Sequence, residues 1–532
     1  MIAINIPSIK MFRPSLRVER WLIGIALCAV SVFFFIHYYQ NGLGLAYNDA
    51  RSHLDIGRRV VEGLKPGLAQ LGSVWLPLPH LLMVVTIWND FMWHSGLAGA
   101  IISMISFVAT GLFMHAWLSY IRVGMVGRLV AVFLFAANIN ILYLQSTAMT
   151  ELLLMATMMG GSYYLLRWHR TDRLLDCVYG AAFVMLSTLI RYEGWFLLMA
   201  ATILIAFHTF RKKGYRAAEG MIVLFCTLAG FGIFLWLLWN QLIFQDAFYF
   251  AFGPFSAHAQ QEQLEQAGVL LTKGNMLLSM KIYLYALAYN AGAFSAFLAT
   301  VGAFFFWFNK KIHFDLRVGA LLLLVPIAFN ITALYLGHSV LFIQGLSGDT
   351  WFNVRYGAMA IPAVAILAGY LVHRFVKLRL VLIGLLALVT FFSITSQDAV
   401  TIDDARVGSS QKNVSEVSGY LHSHAMNTPG FILVSAASHD AIIFSSGLPM
   451  KRFIHEGTGA YWDTAITVPD RWARWIIMRT HDDNDLTYRS IKNTPGLQRY
   501  RLLESYPFAD IYELKEEYVQ DLNMEANLGV QR

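Results

Sequence analysis

The chain has 532 residues, of which 57% are hydrophobic and 14% charged, against a charged share of about 25% in soluble domains. So few charges exclude the set of about three or four water-soluble domains that length alone would allow. A formal charge of +7 and a pI near 9.1 do not mark a nucleic-acid binder, because the basic residues fall in short clusters between apolar runs.

In chain order, Lys10, Arg13, Arg17 and Arg20 precede an apolar run from Trp21 to Tyr39. This is the charge order of a signal peptide, but the run is too long for one and no small-residue cleavage site follows, so it reads as a retained first span. Basic clusters recur at Arg122 and Arg128, at Arg167 to Arg173, at Arg211 to Arg216, at Lys310 to Arg317 and at Arg374 to Arg379, one at every second gap between apolar runs. The positive-inside rule makes those gaps cytoplasmic. Threading the chain between them gives about eleven spans of roughly 17 to 25 residues. They lie near 21–39, 95–119, 128–145, 149–166, 174–190, 195–210, 219–243, 276–308, 318–336, 354–372 and 380–396. The stretch 276–308 is too long for a straight span and is expected to lie partly along the membrane surface.

This threading puts the N-terminus in the cytoplasm and the C-terminus outside. With no retrieval signal in the sequence, the expected location is a bacterial or archaeal cell (inner) membrane. Cys28, Cys177 and Cys226 lie in or beside apolar stretches and form neither a disulfide framework nor a zinc spacing. From about residue 397 the composition turns polar, and Phe431 to Ser435, Arg452 to His455 and Trp475 to Met478 read as short buried strands between helical stretches. The expected fold is therefore a polytopic α-helical membrane unit over 1–396, with an interfacial outside loop over 40–94, followed by a small extracytoplasmic α/β unit over 397–532.

Residues able to carry chemistry gather at the outer ends of spans. In the first loop Leu54, Ile56, Val60, Val61 and Leu64 outline a partly amphipathic helix, capped at its start by Asn48 or Asp49. Asp49 and His53, four apart, share one side of it. The loop continues through Trp75 and Leu76-Pro77-Leu78-Pro79-His80, which suit a segment in the membrane interface. Asp49 reads either as that helix cap or as a general base, and the second is preferred. His53 and His80 read as polar loop residues or as groups that position substrate; without HExxH-like spacing they define no metal site.

Glu151, after Ser146-Thr147-Ala148-Met149-Thr150, either caps the fourth span or faces a cavity at the membrane edge. Arg191 and Glu193, in the tight turn Arg191-Tyr192-Glu193-Gly194-Trp195, either pair with each other or hold substrate groups. Arg355, in Asp349-Thr350-Trp351-Phe352-Asn353-Val354-Arg355-Tyr356-Gly357, sits outside where no topological signal needs it. It is an anion ligand or an arginine snorkelling beside Trp351, Phe352 and Tyr356. The loop 245–274, with Asp246, Tyr249, Phe252, Pro254 and His258, is by default a solvated connection and alternatively a cover over an acceptor channel. Tyr461-Trp462-Asp463 reads as core or edge packing of the C-terminal unit.

An outside carboxylate just after the first span, a long interfacial first loop, many spans and an outside C-terminal unit together resemble the GT-C membrane glycosyltransferases, above all the protein O-mannosyltransferase and aminoarabinose transferase group. Tyr47 to His80 is the closest local match. The resemblance implies a polyprenyl-phosphate sugar as donor, a protein, lipid or glycan hydroxyl as acceptor, and an acidic catalytic residue mapping onto Asp49. In place of the two adjacent acids of some relatives the chain has Asn48-Asp49, which argues against an acidic metal-binding pair and leaves a divalent metal open. Given such a donor, Asp49 removes the acceptor proton and direct displacement inverts the anomeric centre. Arg355, and next Arg191, hold the leaving phosphate in their planar forks, while His53, His80, Glu151, Glu193 and Tyr356 contact substrate.

Two rival functions use the same features. A transporter or flippase of lipid-linked sugars would show pseudo-symmetric halves and charges near the midplane, and neither is seen in the sequence. A glycan polymerase or ligase would share the donor and the outside loops and differ in its product.

Overall fold

The computed structural model describes residues 15–253, 256–408 and 414–523; Lys10, Arg13 and Pro254 lie outside them. Each apolar stretch read from the sequence meets helix in the structure. Among the described residues seven helices are long and apolar enough to cross a membrane: Leu16–Gln40, Leu97–Tyr120, Glu193–Lys213, Tyr215–Phe244, Phe314–Tyr335, Val354–Arg374 and Val376–Val407. The pair Met276–Ala291 and Ala293–Phe308 is apolar enough together but bent by 109°, the geometry of a broken span or a re-entrant loop. The break falls at Gly292, whose φ of 79° favours glycine.

By length and composition, then, seven or eight of the expected spans qualify, and the shortfall has local causes. The stretch 128–145 is cut where Asn138 turns the chain and caps Ile139–Leu144 by accepting from the Ile141 amide at 3.0 Å. Leu174–Thr188 is a short apolar helix of 15 residues. Glu151–Thr171 carries charge at both ends and is buried among protein neighbours along most of its length.

Small residues set how closely these helices approach, as expected where lipid gives no hydrophobic drive for association. A Cβ on Gly369 would lie 2.5 Å from the Gly127 carbonyl and 2.7 Å from the Ala131 Cβ. A buried ion cluster ties three helices together: Glu19 accepts from Arg128 Nε and lies against His115 Nε2, each at 3.0 Å.

Two helices of 21 residues, Glu151–Thr171 and Glu193–Lys213, run between two charged ends of the bundle. At 1.5 Å per residue each covers about 30 Å, the thickness of a bilayer core. At the later end Asp315 is buried among Arg211, Lys212, at 3.0 Å, and His313. Nearby Asp172 meets His208 at 2.9 Å. At the earlier end lie Glu151 and Glu193.

The C-terminal sheet has the order β2-β1-β3-β5-β4. Strands β1 (Phe431–Val434), β2 (Phe453–Ile454) and β3 (Ala473–Met478) are those read from the sequence, and they pair in parallel. Strands β4 (Tyr500–Ser505) and β5 (Asp510–Leu514) form an antiparallel hairpin that the sequence reading did not foresee. Tyr461 and Trp462 are buried against this sheet, as expected of core packing. The first loop lies between the helical bundle and this sheet: Gln70 Nε2 donates to the Gly457 carbonyl at 2.6 Å, and Trp93 stands edge-on to Phe444.

Because the Gly369 position has no room for a methyl group, Gly369→Ala is expected to lower the stability of the detergent-purified protein by about 1–3 kcal/mol. Gly384, with open space around it, provides the comparison: Gly384→Ala should leave the melting temperature unchanged.

Candidate active site

The first-loop helix runs from Asn48 to Val61, and its N-cap is Tyr47, which makes no side-chain capping bond. The expected cap by Asn48 or Asp49 is therefore not formed. Both lie inside the first turn, too late to cap, and the Asp49 carboxylate turns to Arg355 instead. Its Oδ2 accepts from Arg355 Nη2 at 2.5 Å. The Asp49 side chain is 36% exposed, and its Oδ1 makes no hydrogen bond among the described residues.

Arg355 sits on a 3-10 segment, Val354–Ala360, that leads into the helix Ile361–Arg374. Close backbone contact fixes that segment: a Cβ on Gly357 would overlap the backbone of Ala286. Asn290 Nδ2 also donates to the Val354 carbonyl at 2.8 Å. The guanidinium is buried, 4% exposed, which excludes the snorkelling reading. Its Nε donates to Glu151 Oε1 at 3.1 Å and its Nη1 lies 3.7 Å from Asp404 Oδ2. Tyr47 donates its hydroxyl to the same Asp404 oxygen at 3.0 Å.

Glu151 is fully buried and receives a second guanidinium, with Arg191 Nη1 at 3.3 Å from Oε1. Its side chain serves this ion cluster rather than the helix end. Arg191 also reaches Glu193 at 3.1 Å and Thr150 Oγ1 at 3.2 Å. The Tyr356 ring lies within cation–π distance of both guanidinium carbons, 5.1 Å from Arg191 and 5.4 Å from Arg355. Arg191 is the more open of the two, at 18% exposed. Phe250, from the loop 245–274, packs on Tyr192 and Trp195 beside it.

His53 and His80 form an adjoining pair, Nδ1 to Nε2 at 2.9 Å, with the Trp75 ring 4.3 Å from His53. Burial, followed by the charges of Arg191 and Arg355, pushes His53 down to about 3. Burial also holds His80 well below its ordinary value. The pair is thus neutral near pH 7.

Among the described residues no group of three or more His, Cys, Asp or Glu side chains is arranged to hold a metal ion. Asp49 and Glu151 each give one oxygen to Arg355.

No family model and no curated protein matches the sequence. Solved structures do. The chain is similar to ArnT from Cupriavidus metallidurans bound to undecaprenyl phosphate, with 11% identity, a TM-score of 0.51, and coverage of 90% of this chain and 97% of that one. Apo ArnT gives 13% identity and a TM-score of 0.52, over the same shares. The oligosaccharyltransferase of Archaeoglobus fulgidus in complex with Zn and sulfate gives 11% identity and a TM-score of 0.50, covering 92% of this chain and 73% of that one. The chain has the GT-C fold.

Within this GT-C fold, Asp49, Glu151, Arg191, Glu193, Arg355 and Tyr356 come together from four separate parts of the chain, with His53 and His80 alongside. Sequence reasoning missed Asp404 and Tyr47. The signal available for Asp404 was an acidic pair, Asp403-Asp404, within ten residues of the end of the last apolar run at 396.

The His53 shift fixes the sign of a pH effect. Its folded value of about 3 lies below the ordinary 6.5, so below pH 6.5 the unfolded chain binds a proton that the folded chain does not. Stability therefore falls on acidification, by about 2 kcal/mol from His53 alone at pH 5. Melting of the purified protein between pH 7.5 and pH 5 should show this loss, and His53→Gln should reduce it; an equal loss in the variant would refute the assignment.

Proposed function

We propose that this chain is an integral-membrane glycosyltransferase that moves a hexose or pentose from a polyprenyl-phosphate donor onto an acceptor hydroxyl at the extracytoplasmic face of the cell membrane. The observation that carries the reading is the Asp49 carboxylate, held by Arg355 through one oxygen while the other has no hydrogen-bond partner among the described residues, at the partly open edge of a buried charge cluster. The GT-C fold supports it, since ArnT, of the same fold, binds undecaprenyl phosphate.

In the proposed reaction Asp49 Oδ1 takes the acceptor proton as the acceptor oxygen bonds to the anomeric carbon and the bond to phosphate breaks on the opposite face, giving inversion. Negative charge then grows on the lipid phosphate and needs fixed donors. Arg191 suits this task better than Arg355, because it is more open and Arg355 already faces Asp49, Glu151 and Asp404. Arg355 orients the base, Glu151 and Glu193 hold Arg191 in place, and Tyr356, His53 and His80 border the sugar. No step runs through a metal.

We further propose that the catalytic unit extends beyond residue 396. The helix Val400–Val407 sits with the bundle, where Thr401 Oγ1 donates to Asn140 Oδ1 at 2.8 Å and Asp404 meets Tyr47.

Purified protein incubated with a panel of radiolabelled polyprenyl-phosphate monosaccharides and crude membrane acceptors, with and without divalent metal, should release sugar from one donor. Asp49→Asn should cut the rate by about 100-fold or more, and Arg191→Ala should lose more in donor binding than Arg355→Lys. If every donor stays intact while all proteins remain folded, the transferase reading fails and transport of a lipid-linked sugar takes its place.

A further inference from the structure

The helix that carries Asp49 is held at its far end by the C-terminal unit. Arg59, in its last turn, is buried and lies in a two-pronged ion pair with Asp440, Nη1 to Oδ1 at 3.2 Å and Nη2 to Oδ2 at 3.5 Å. Asp440 belongs to the helix Ala436–Ser445, which leaves the C-terminal end of β1. That helix is itself braced. Glu456 accepts from the Ala436 and Ala437 amides at 2.9 and 2.6 Å, and His439 meets Asp485 at 2.6 Å. Asp485 in turn accepts from the Arg479 amide at 2.8 Å, linking the brace to the end of β3.

One turn before Arg59, Asp55 is fully buried and accepts from Trp93 Nε1 at 3.2 Å. Trp93 stands against Phe444 of the same C-terminal helix. The far end of the Asp49 helix is therefore gripped through a charge pair and an aromatic contact. Asp49 lies ten residues earlier, about 15 Å away along a continuous helix.

We propose that Arg59 and Asp440 are positioning residues, a clasp by which the C-terminal unit sets where Asp49 stands opposite Arg355. The inference rests on the transferase reading for its effect on rate, but the clasp itself is measurable without it. A buried charge pair removed as a unit is often neutral for stability, whereas removing one partner orphans the other. The double variant Arg59→Met/Asp440→Leu removes both charges, while the neighbouring buried Asp55 keeps its bond from Trp93; its melting temperature is measured beside its exchange, and Asp440→Asn is a second variant that keeps an acceptor.

In the full-length protein, amide exchange at residues 49 to 53 should rise about tenfold or more in the double variant while the bundle helices exchange as before. Donor turnover should then fall about tenfold or more in kcat with KM unchanged, and Asp440→Asn should recover part of both. Wild-type exchange at 49 to 53 in the double variant overturns the clasp, as does a uniform rise across the protein, which marks a structural role only. If exchange rises locally but the wild type consumes no donor, the clasp stands and the transferase reading is the one that falls.

Discussion

The Arg355 guanidinium is the meeting point of three distant parts of the chain. Asp49 arrives from the first loop, Glu151 from the start of a helix in the bundle interior, and Asp404 from the helix Val400–Val407. Breaking a buried ion pair by deleting one partner costs about 3–5 kcal/mol, because the other charge is left without compensation. The segments that supply these acids are thus bound to each other through one side chain. The close contact of Gly357 with the helix Met276–Ala291 places that side chain in turn.

What could be read from the sequence followed from composition and spacing. Apolar runs separated by basic clusters locate helices because the bilayer dictates both length and flanking charge. Asp49, Glu151, Arg191, Glu193 and Arg355 stood out because charge beside an apolar span costs energy unless something compensates it. What compensates it was illegible: Glu151 serves two arginines, and the partner Asp404 lies 49 residues beyond Arg355 in number, 404 − 355. Pairings at such separations leave no periodic trace. The cap expected at Asn48 or Asp49 failed for the same reason, since a tertiary ion pair displaced a local bond of about 1 kcal/mol.

The missed β4–β5 hairpin has another cause. Along Tyr500–Ser505 only Tyr500 is buried, and a strand at the edge of a sheet with charged residues on it carries little of the alternating pattern that marks strands. The three parallel strands were legible because burial on both faces makes them continuous apolar runs. In the helices, length misled: an apolar stretch broken at Asn138 or bent at Gly292 has the composition of a crossing without its straight geometry.

The order in which the Arg355 partners occur along the chain governs biosynthesis. Asp49 precedes Arg355 by 306 residues, a gap that takes roughly 15–60 s to translate at 5–20 residues per second. Through that interval the first loop waits beside the membrane with its acid unpaired, and Asp404 is made later still. The nascent chain therefore holds no complete cluster until residue 404 has left the ribosome: a product that ends before Arg355 carries Asp49 without the arginine that fixes it, and one that ends between the two carries that pair without Asp404.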